Sequence, residues 1–334
     1  MRIAVDAMGG DFAPEATVQG SIDAVKLLPE KLEIILLGNS KKIEACFKTS
    51  LPENITIFHT DEIVTMSDKG SKVLKSKPNS SLVKGIKMVK DRQADAFISA
   101  GNTGAIMATS LFLLGRAKNV KRPALGAFIP TGNGGKILCD VGANPNVKPI
   151  HLLQFAVMAS LYLEHVEGIT NPKIGLVNIG KEPGKGTDLY IQAYELLSNK
   201  LPNFIGNIEG RHIFDTDADV IICDGFVGNI LLKFAEGWST IYGNMLKEKI
   251  ISKLTPEVDL DLLEEAMNDI HSQYDYEEHG GSPLLGINGV AVVAHGSSGS
   301  KAIKNSILVA EKCVRENLVH DIASGMSQYM ETSV

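Results

Sequence analysis

The sequence predicts an α/β protein with a mostly parallel sheet and helices on both faces. Three observations carry this. Short β-rich apolar runs recur almost from end to end, helical patterns separate them, and the runs are apolar on both faces, as strands covered on both sides require. The runs are RIAVDA, LEIILLG, NITIFHT, DAFISA, ALGAFIP, KILCDVG, KIGLVNIG, DVIICDG and GVAVVAH. Helices are expected between them at 80–91, 102–114, 149–165, 187–198 and 299–316. No repeat, low-complexity tract or linker divides the 334 residues, so a single α/β catalytic domain, 1–334, is expected. Over 228–278 the rhythm gives way to nearly continuous helix, interrupted at Leu254-Thr255-Pro256. Proline there suits a turn between two helices or the first turn of the second. The simplest use of such a late hairpin is a dimer interface.

Composition narrows the function. A net charge of −6 lacks the cationic excess of a general nucleic-acid binder. Cys46, Cys139, Cys223 and Cys313 lie far apart without C-x-x-C spacing and read as buried thiols in a reducing compartment. The opening MRIAVDAMGG reads as a strand rather than a signal peptide. The longest strongly apolar helical stretch, roughly 151–164, is shorter than the about 20 residues that cross a bilayer. A cytoplasmic location is expected.

The chemistry concentrates at strand ends, where loops of parallel sheets lead into helix N-termini. Asp6, Gly9, Gly10 and Asp11 follow the first strand; Gly101, Asn102, Thr103 and Gly104 follow the fourth. Further along come Asp140 with Asn144, Asp224 with Gly225 and Asn229, and His295 with Gly296, Ser297 and Ser298. Glycine lets backbone N–H groups approach an anion, and a following helix adds its positive end. Five such loops predict one shared phosphate-holding cleft. Asp6, Asp140 and Asp224 suit Mg²⁺ or, in the commoner use, anchoring of loops through backbone N–H groups; no metal is expected.

Several familiar motifs fail. The run from Gly180 to Thr187 resembles a P-loop, but Gly184 and Lys185 fall one position early for that spacing. Lys181 and Lys185 in this loop suit an anionic substrate or plain solvation. No G-x-G-x-x-G follows the first strand, no G-x-S-x-G elbow occurs, and the eight histidines lack zinc-ligand spacing.

At these loops the sequence resembles the PlsX-type phosphate acyltransferases of bacterial phospholipid synthesis. The matching segments are RIAVDAMGGD at 2–11, SAGNTGA at 99–105, RPAL at 122–125, DVGAN at 140–144, NIG at 178–180, DGFVGN at 224–229 and AHGSS at 294–298. They follow the family's order across nearly the whole chain. Position 12, where such proteins can carry His, is Phe12 here, so no catalytic role is assigned to it.

The resemblance implies transfer of a fatty acyl group from acyl-carrier-protein thioester to inorganic phosphate. It also implies an isocitrate/isopropylmalate-dehydrogenase-like fold, a homodimer without nicotinamide or other cofactor, and delivery of product to a membrane glycerol-phosphate acyltransferase. Phosphate is already an anionic nucleophile, so the protein need only hold it and stabilise the developing oxyanion. Asn102, Thr103, Asn144, Asn229, Ser297 and Ser298 are the candidate donors. His295 is the candidate to orient phosphate or protonate the departing thiolate, and Arg122 to neutralise phosphate charge. An acidic carrier protein suits the basic segment from Lys69 to Arg92, which holds seven Lys and one Arg against Asp91. The run from Arg116 to Arg122 extends that surface. In this family the hairpin tip is expected at the membrane surface, and Trp238, Ile241, Tyr242, Met245, Leu246, Ile250 and Leu254 have the spacing for it. Residues 257–278 oppose that reading, with nine acidic side chains and no Lys or Arg. A short-chain acyl-CoA phosphotransacylase and a non-enzymatic carrier-binding scaffold at the membrane surface are the competing readings.

Overall fold

Every apolar run named above contains a strand, because each is short, β-rich and bounded by turn formers. The computed structural model describes all residues except 29, 49, 132–133, 252–275 and 332–334. The first half of the chain runs β1 Arg2–Asp6, α1 Glu15–Leu27, β2 Glu33–Gly38, α2 Ser40–Glu44, β3 Ile55–His59, α3 Gly70–Ser76, α4 Ser81–Lys90, β4 Ala96–Ser99 and α5 Thr103–Leu113. Next come β5 Ala124–Thr131, β6 Gly134–Cys139, α6 Pro149–His165, β7 Ile174–Asn178, α7 Asp188–Lys200, β8 Phe204–Glu209 and β9 Val220–Ile222. The remainder is α8 Gly225–Ile251, α9 Tyr276–His279, β10 Ser282–Leu285, β11 Val290–Val293, α10 Ser300–Arg315 and α11 Leu318–Glu331. Of the expected hairpin, α8 is described; its tip and most of its second helix lie outside the described residues.

The strands form one sheet in the order β3-β2-β1-β4-β11-β10-β5-β6-β9-β7-β8. The first five are mutually parallel. Strand β10 is antiparallel to both β11 and β5, and β5 is antiparallel to β6. From β6 onward the strands are parallel again and run opposite to the first block. Strand-end loops of the two blocks therefore leave opposite edges of the sheet. The expectation of one cleft formed directly by five neighbouring loops is corrected accordingly. Strands β8 and β10 were not foreseen. Within SPLL, Pro283 and the flanking glycines read as a turn, while FIGNIE has mixed burial and an internal glycine.

Helices are set by local signals and by the faces they cover. Ser80 caps α4 by accepting from the Val83 N–H, and Pro149 opens α6, where its missing N–H costs nothing. Alternate strand residues feed two cores. Ile3, Val5, Ile34 and Ile98 pack with α1, α6, α7, α10 and α11. Ala4, Leu37, Phe97 and Leu138 face the other way, toward α4, α5 and α8. Helices α5 and α8, from opposite halves of the sheet, thus share one face.

Phe97 is fully buried in β4 and lies against Gly85 of α4. Phe97→Ala should cost about 3–5 kcal/mol by leaving a cavity, read as a lowered urea midpoint. A cost below about 1 kcal/mol would mean that this face is poorly packed.

Candidate active site

On the first edge, the loops after β1, β4 and β11 are stitched together. Asp6 is buried, and its Oδ1 accepts from the Met8 N–H at 3.1 Å. Its Oδ2 accepts from Ser99 Oγ at 2.7 Å, and Ser99 Oγ accepts from the Gly101 N–H at 3.0 Å. Burial pushes the Asp6 carboxyl upward, against hydrogen bonds that favour its charged form. The Asp11 N–H donates to the Gly296 carbonyl at 2.8 Å. Gly10 between them has φ +104°, and a Cβ there would stand 3.0 Å from Ala100 Cβ, so glycine suits this close approach. Gly9 packs on Gly101 in the same way.

Asn102 does not present free amide donors. Its Oδ1 caps α5 by accepting from the Ala105 N–H at 3.0 Å. Its Nδ2 donates to the carbonyls of Thr65, Met66 and Asp68. The geometry makes Asn102 a clamp between the 65–68 loop and α5, with Thr103 and Gly104 forming the first turn that it caps.

His295 is the polar centre of this edge. Ser297 Oγ lies 2.6 Å from Nδ1, and the Ser297 N–H donates to that nitrogen. On the other side Lys233 Nζ meets Nε2, and Glu236 Oε2 lies 3.4 Å from it. Burial opposes ionisation of Glu236, but hydrogen bonds from His295 and Lys233 outweigh it and hold its carboxyl below the ordinary range. Both partners come from α8, so a helix that begins on the second edge reaches the first. Lys233 and Glu236 were missed in the sequence; their only signal was an i,i+3 pair following the DGFVGN loop. Ser298 is buried, with its N–H donating to the His295 carbonyl.

On the second edge Asp140 is fully buried and accepts from the N–H groups of Leu125, Ala143 and Asn144 and from Asn144 Nδ2. Burial pushes this carboxyl up as well. Asn144 Nδ2 also donates to the Pro123 carbonyl at 2.7 Å, so its amide hydrogens serve the loop itself. Asp224 accepts from the Phe226 and Val227 N–H groups and from the Tyr190 hydroxyl. A Cβ on Gly225 would stand 2.8 Å from Asp140 Oδ2 and the Asn144 nitrogen. All three strand-end aspartates thus anchor loops, the commoner of the two uses open to them. Asn229 is exposed beside Gly142. Lys185 is exposed in the β7–α7 loop, where its carbonyl accepts from Asn178 Nδ2. No group of three or more His, Cys, Asp or Glu suited to a metal occurs among the described residues.

An open groove of about 1100 Å³ links the two edges. It is lined by Gly104, Met107, Ala108 and Leu111 of α5, by residues of the 115–123 loop including Arg122, and by Ala143 and Asn144. Arg122 is exposed, and its Nη1 donates to the Asn146 carbonyl at 2.9 Å.

Glycine loops, helix N-termini and an open groove thus lie on one side of the sheet. Residues 1–321 match the family described as "Fatty acid synthesis protein". The chain belongs to that family. It is 43% identical over 331 residues to the phosphate acyltransferase of Desulfitobacterium hafniense strain DSM 10664 / DCB-2, covering 98% of each chain. It is 45% identical over 327 residues to that of Halothermothrix orenii, covering 96% of each. In fold it is similar to a phosphotransacetylase from Streptococcus pyogenes, with TM-score 0.62, 18% identity and coverage of 95% and 94%. It is also similar to 4-hydroxythreonine-4-phosphate dehydrogenase from Klebsiella pneumoniae, with TM-score 0.53, 12% identity and coverage of 94% and 97%. The α/β fold is thus one shared with solved phosphotransacetylase and dehydrogenase structures.

The 65–68 loop that Asn102 grips is itself tied down by Lys77, whose Nζ lies 2.5 Å from Asp68 Oδ2. Hydrogen bonds from Lys77 and Thr65 lower the Asp68 carboxyl to about 2. A depressed carboxylate adds stability above its unfolded value near 4 and loses it as pH falls toward the folded value. Lys77→Met should therefore lower the urea midpoint above about pH 5, with the deficit shrinking as pH falls from about 4 toward about 2. A pH-independent deficit would contradict this role.

Proposed function

We propose that this enzyme transfers a fatty acyl group from acyl-carrier-protein thioester to inorganic phosphate, giving acyl phosphate for phospholipid synthesis. The observation that carries the reading is the set of glycine loops anchored by buried carboxylates, joined to an open groove, in a member of a family whose curated relatives are named phosphate acyltransferase. A phosphate oxygen attacks the thioester carbonyl carbon, the C–S bond breaks, and the thiolate leaves on the carrier. Backbone N–H groups at the helix N-termini of the first edge, with Thr103 and Ser298, hold phosphate and the oxyanion. Removal of one such donor costs about 3–4 kcal/mol of barrier stabilisation. His295, oriented by Ser297 and Glu236, supplies the proton to the thiolate. The departing thiol, with pKa about 8.5, is a fair leaving group, and the reaction requires no cofactor.

The cysteines support phosphate rather than a protein thiol as the nucleophile. Burial pushes Cys139 and Cys223 far up and Cys313 up to about 12; Cys46 is also raised, so none is a ready thiolate. Ser297 beside His295 supports a second route, through an acyl-Ser297 intermediate.

Two basic segments suit the carrier. In 69–92, Lys69, Lys72, Lys75, Lys87, Lys90 and Arg92 are exposed, and the 116–122 run borders the groove. On α8, Phe226, Ile230, Phe234, Trp238 and Tyr242 form an exposed stripe, with Phe234, Trp238 and Tyr242 stacked at centroid spacings of 6.4 and 5.9 Å. That stripe supports a homodimer or membrane-surface contact near the site of product hand-off. No helix among the described residues is long and apolar enough to cross a membrane.

The test is phosphate-dependent loss of acyl-carrier-protein thioester with the acyl phosphate trapped by hydroxylamine. Wild type should give hydroxamate only when phosphate is present, and His295→Ala should lower kcat by about a hundredfold with an unchanged unfolding midpoint. Use of acyl-CoA to the exclusion of the carrier thioester would sink the proposal, and a His295→Ala rate within about threefold of wild type would remove His295 from it.

A further inference from the structure

The groove carries more information than its size. Its lining contains Arg116, Lys121 and Arg122 and no Asp or Glu. All three cations are exposed, and none makes an ion pair among the described residues; the two arginines instead hold loop carbonyls, Arg116 that of Lys121 and Arg122 that of Asn146. Three unneutralised cations on one wall make an anion site that water alone leaves uncompensated. The opposite wall differs in kind. Met107, Ala108 and Leu111 project from one stripe of α5, and Leu111 is 40% exposed. From Gly104 to Leu111 the helix covers about 10 Å at 1.5 Å per residue.

A ligand matching these walls has an anionic end, a long flexible middle with few charges, and a reactive end that reaches the α5 N-terminus near Gly104. Inorganic phosphate is too small for such a groove, and a fatty chain alone leaves the cations unused. We infer that the groove between α5 and the 115–123 loop binds the phosphopantetheine arm of the acyl donor, with its phosphodiester on Arg116, Lys121 and Arg122 and its thioester at the α5 N-terminus. The inference rests on the acyl-transfer reading above. It assigns the carrier's docking face to the 116–122 side and leaves the 69–92 segment outside that contact. This segment adjoins the opposite end of the groove, where the first turns of α3 and α5 meet at Gly70 and Gly104.

The test uses two small donors with the same acyl group, acyl-phosphopantetheine and acyl-pantetheine, so that protein docking plays no part. Wild type should favour the phosphorylated arm by about tenfold in kcat/KM, the value of one charge-assisted contact. Lys121→Glu should abolish that preference while KM for inorganic phosphate stays within about twofold. Lys118→Glu, the same charge change on an exposed neighbour outside the groove lining, should keep the preference. Leu111→Trp, which fills the apolar wall, should lower kcat/KM for both donors by about tenfold. Equal use of the two donors by wild type, or a preference that survives Lys121→Glu, would overturn the assignment. If the carrier thioester itself yields trapped acyl phosphate while the preference is absent, only the groove assignment falls. If it yields none, the acyl-transfer reading falls with it.

Discussion

Glycine-rich strand-end loops face a conflict between exposing N–H groups and keeping the backbone ordered. Here three strand-end carboxylates resolve it. Asp6, Asp140 and Asp224 are each buried and each accept two or more hydrogen bonds from their own or a neighbouring loop. Burying a carboxylate is costly, and for Asp6 and Asp140 burial pushes the pKa upward despite those donors. That cost is offset by loops too tightly packed to collapse. Gly225 sits against Asp140 and Asn144, and Gly10 against Ala100 and the Gly296 carbonyl. The N–H groups left over at the helix N-termini can then meet a ligand instead of one another.

The central antiparallel strands decide how the loops are combined. Because β10 and β6 reverse direction, one set of loops leaves each edge, and two helices on one face join them. The α5 stripe forms a wall of the groove between the edges. Helix α8 starts at Gly225 on the second edge and presents Lys233 and Glu236 to His295 on the first. The outer side of α8 carries the exposed Phe234, Trp238 and Tyr242 stack, so a partner on that stripe would hold the helix that positions His295.

Most of the fold was legible because its strands are apolar on both faces and its helices are long and periodic. The exceptions have local causes. Strand β10 hides behind Pro283 and its glycines, and the reversal of direction depends on which strands pair, which one-dimensional patterns do not encode. The aspartates were legible as loop anchors. Side-chain commitments were not. Asn102 and Asn144 look like substrate donors until their amides are found clamped to Thr65, Met66, Asp68 and Pro123. Lys233 and Glu236 gave only an i,i+3 pair as signal, because they reach His295 across 62 and 59 residues of chain, respectively.

In the proposed reaction phosphate is the nucleophile, and the protein supplies position, donors and a proton. Its sharpest rival is the Ser297 hydroxyl, 2.6 Å from His295 Nδ1, forming an acyl-enzyme before phosphate arrives. A rapid-quench experiment with enzyme in excess over acyl-carrier-protein thioester, in phosphate-free buffer, separates the two. Direct attack predicts no release of carrier thiol and no gain in enzyme mass until phosphate is added. A burst of thiol accompanied by an acyl adduct on Ser297 would contradict it.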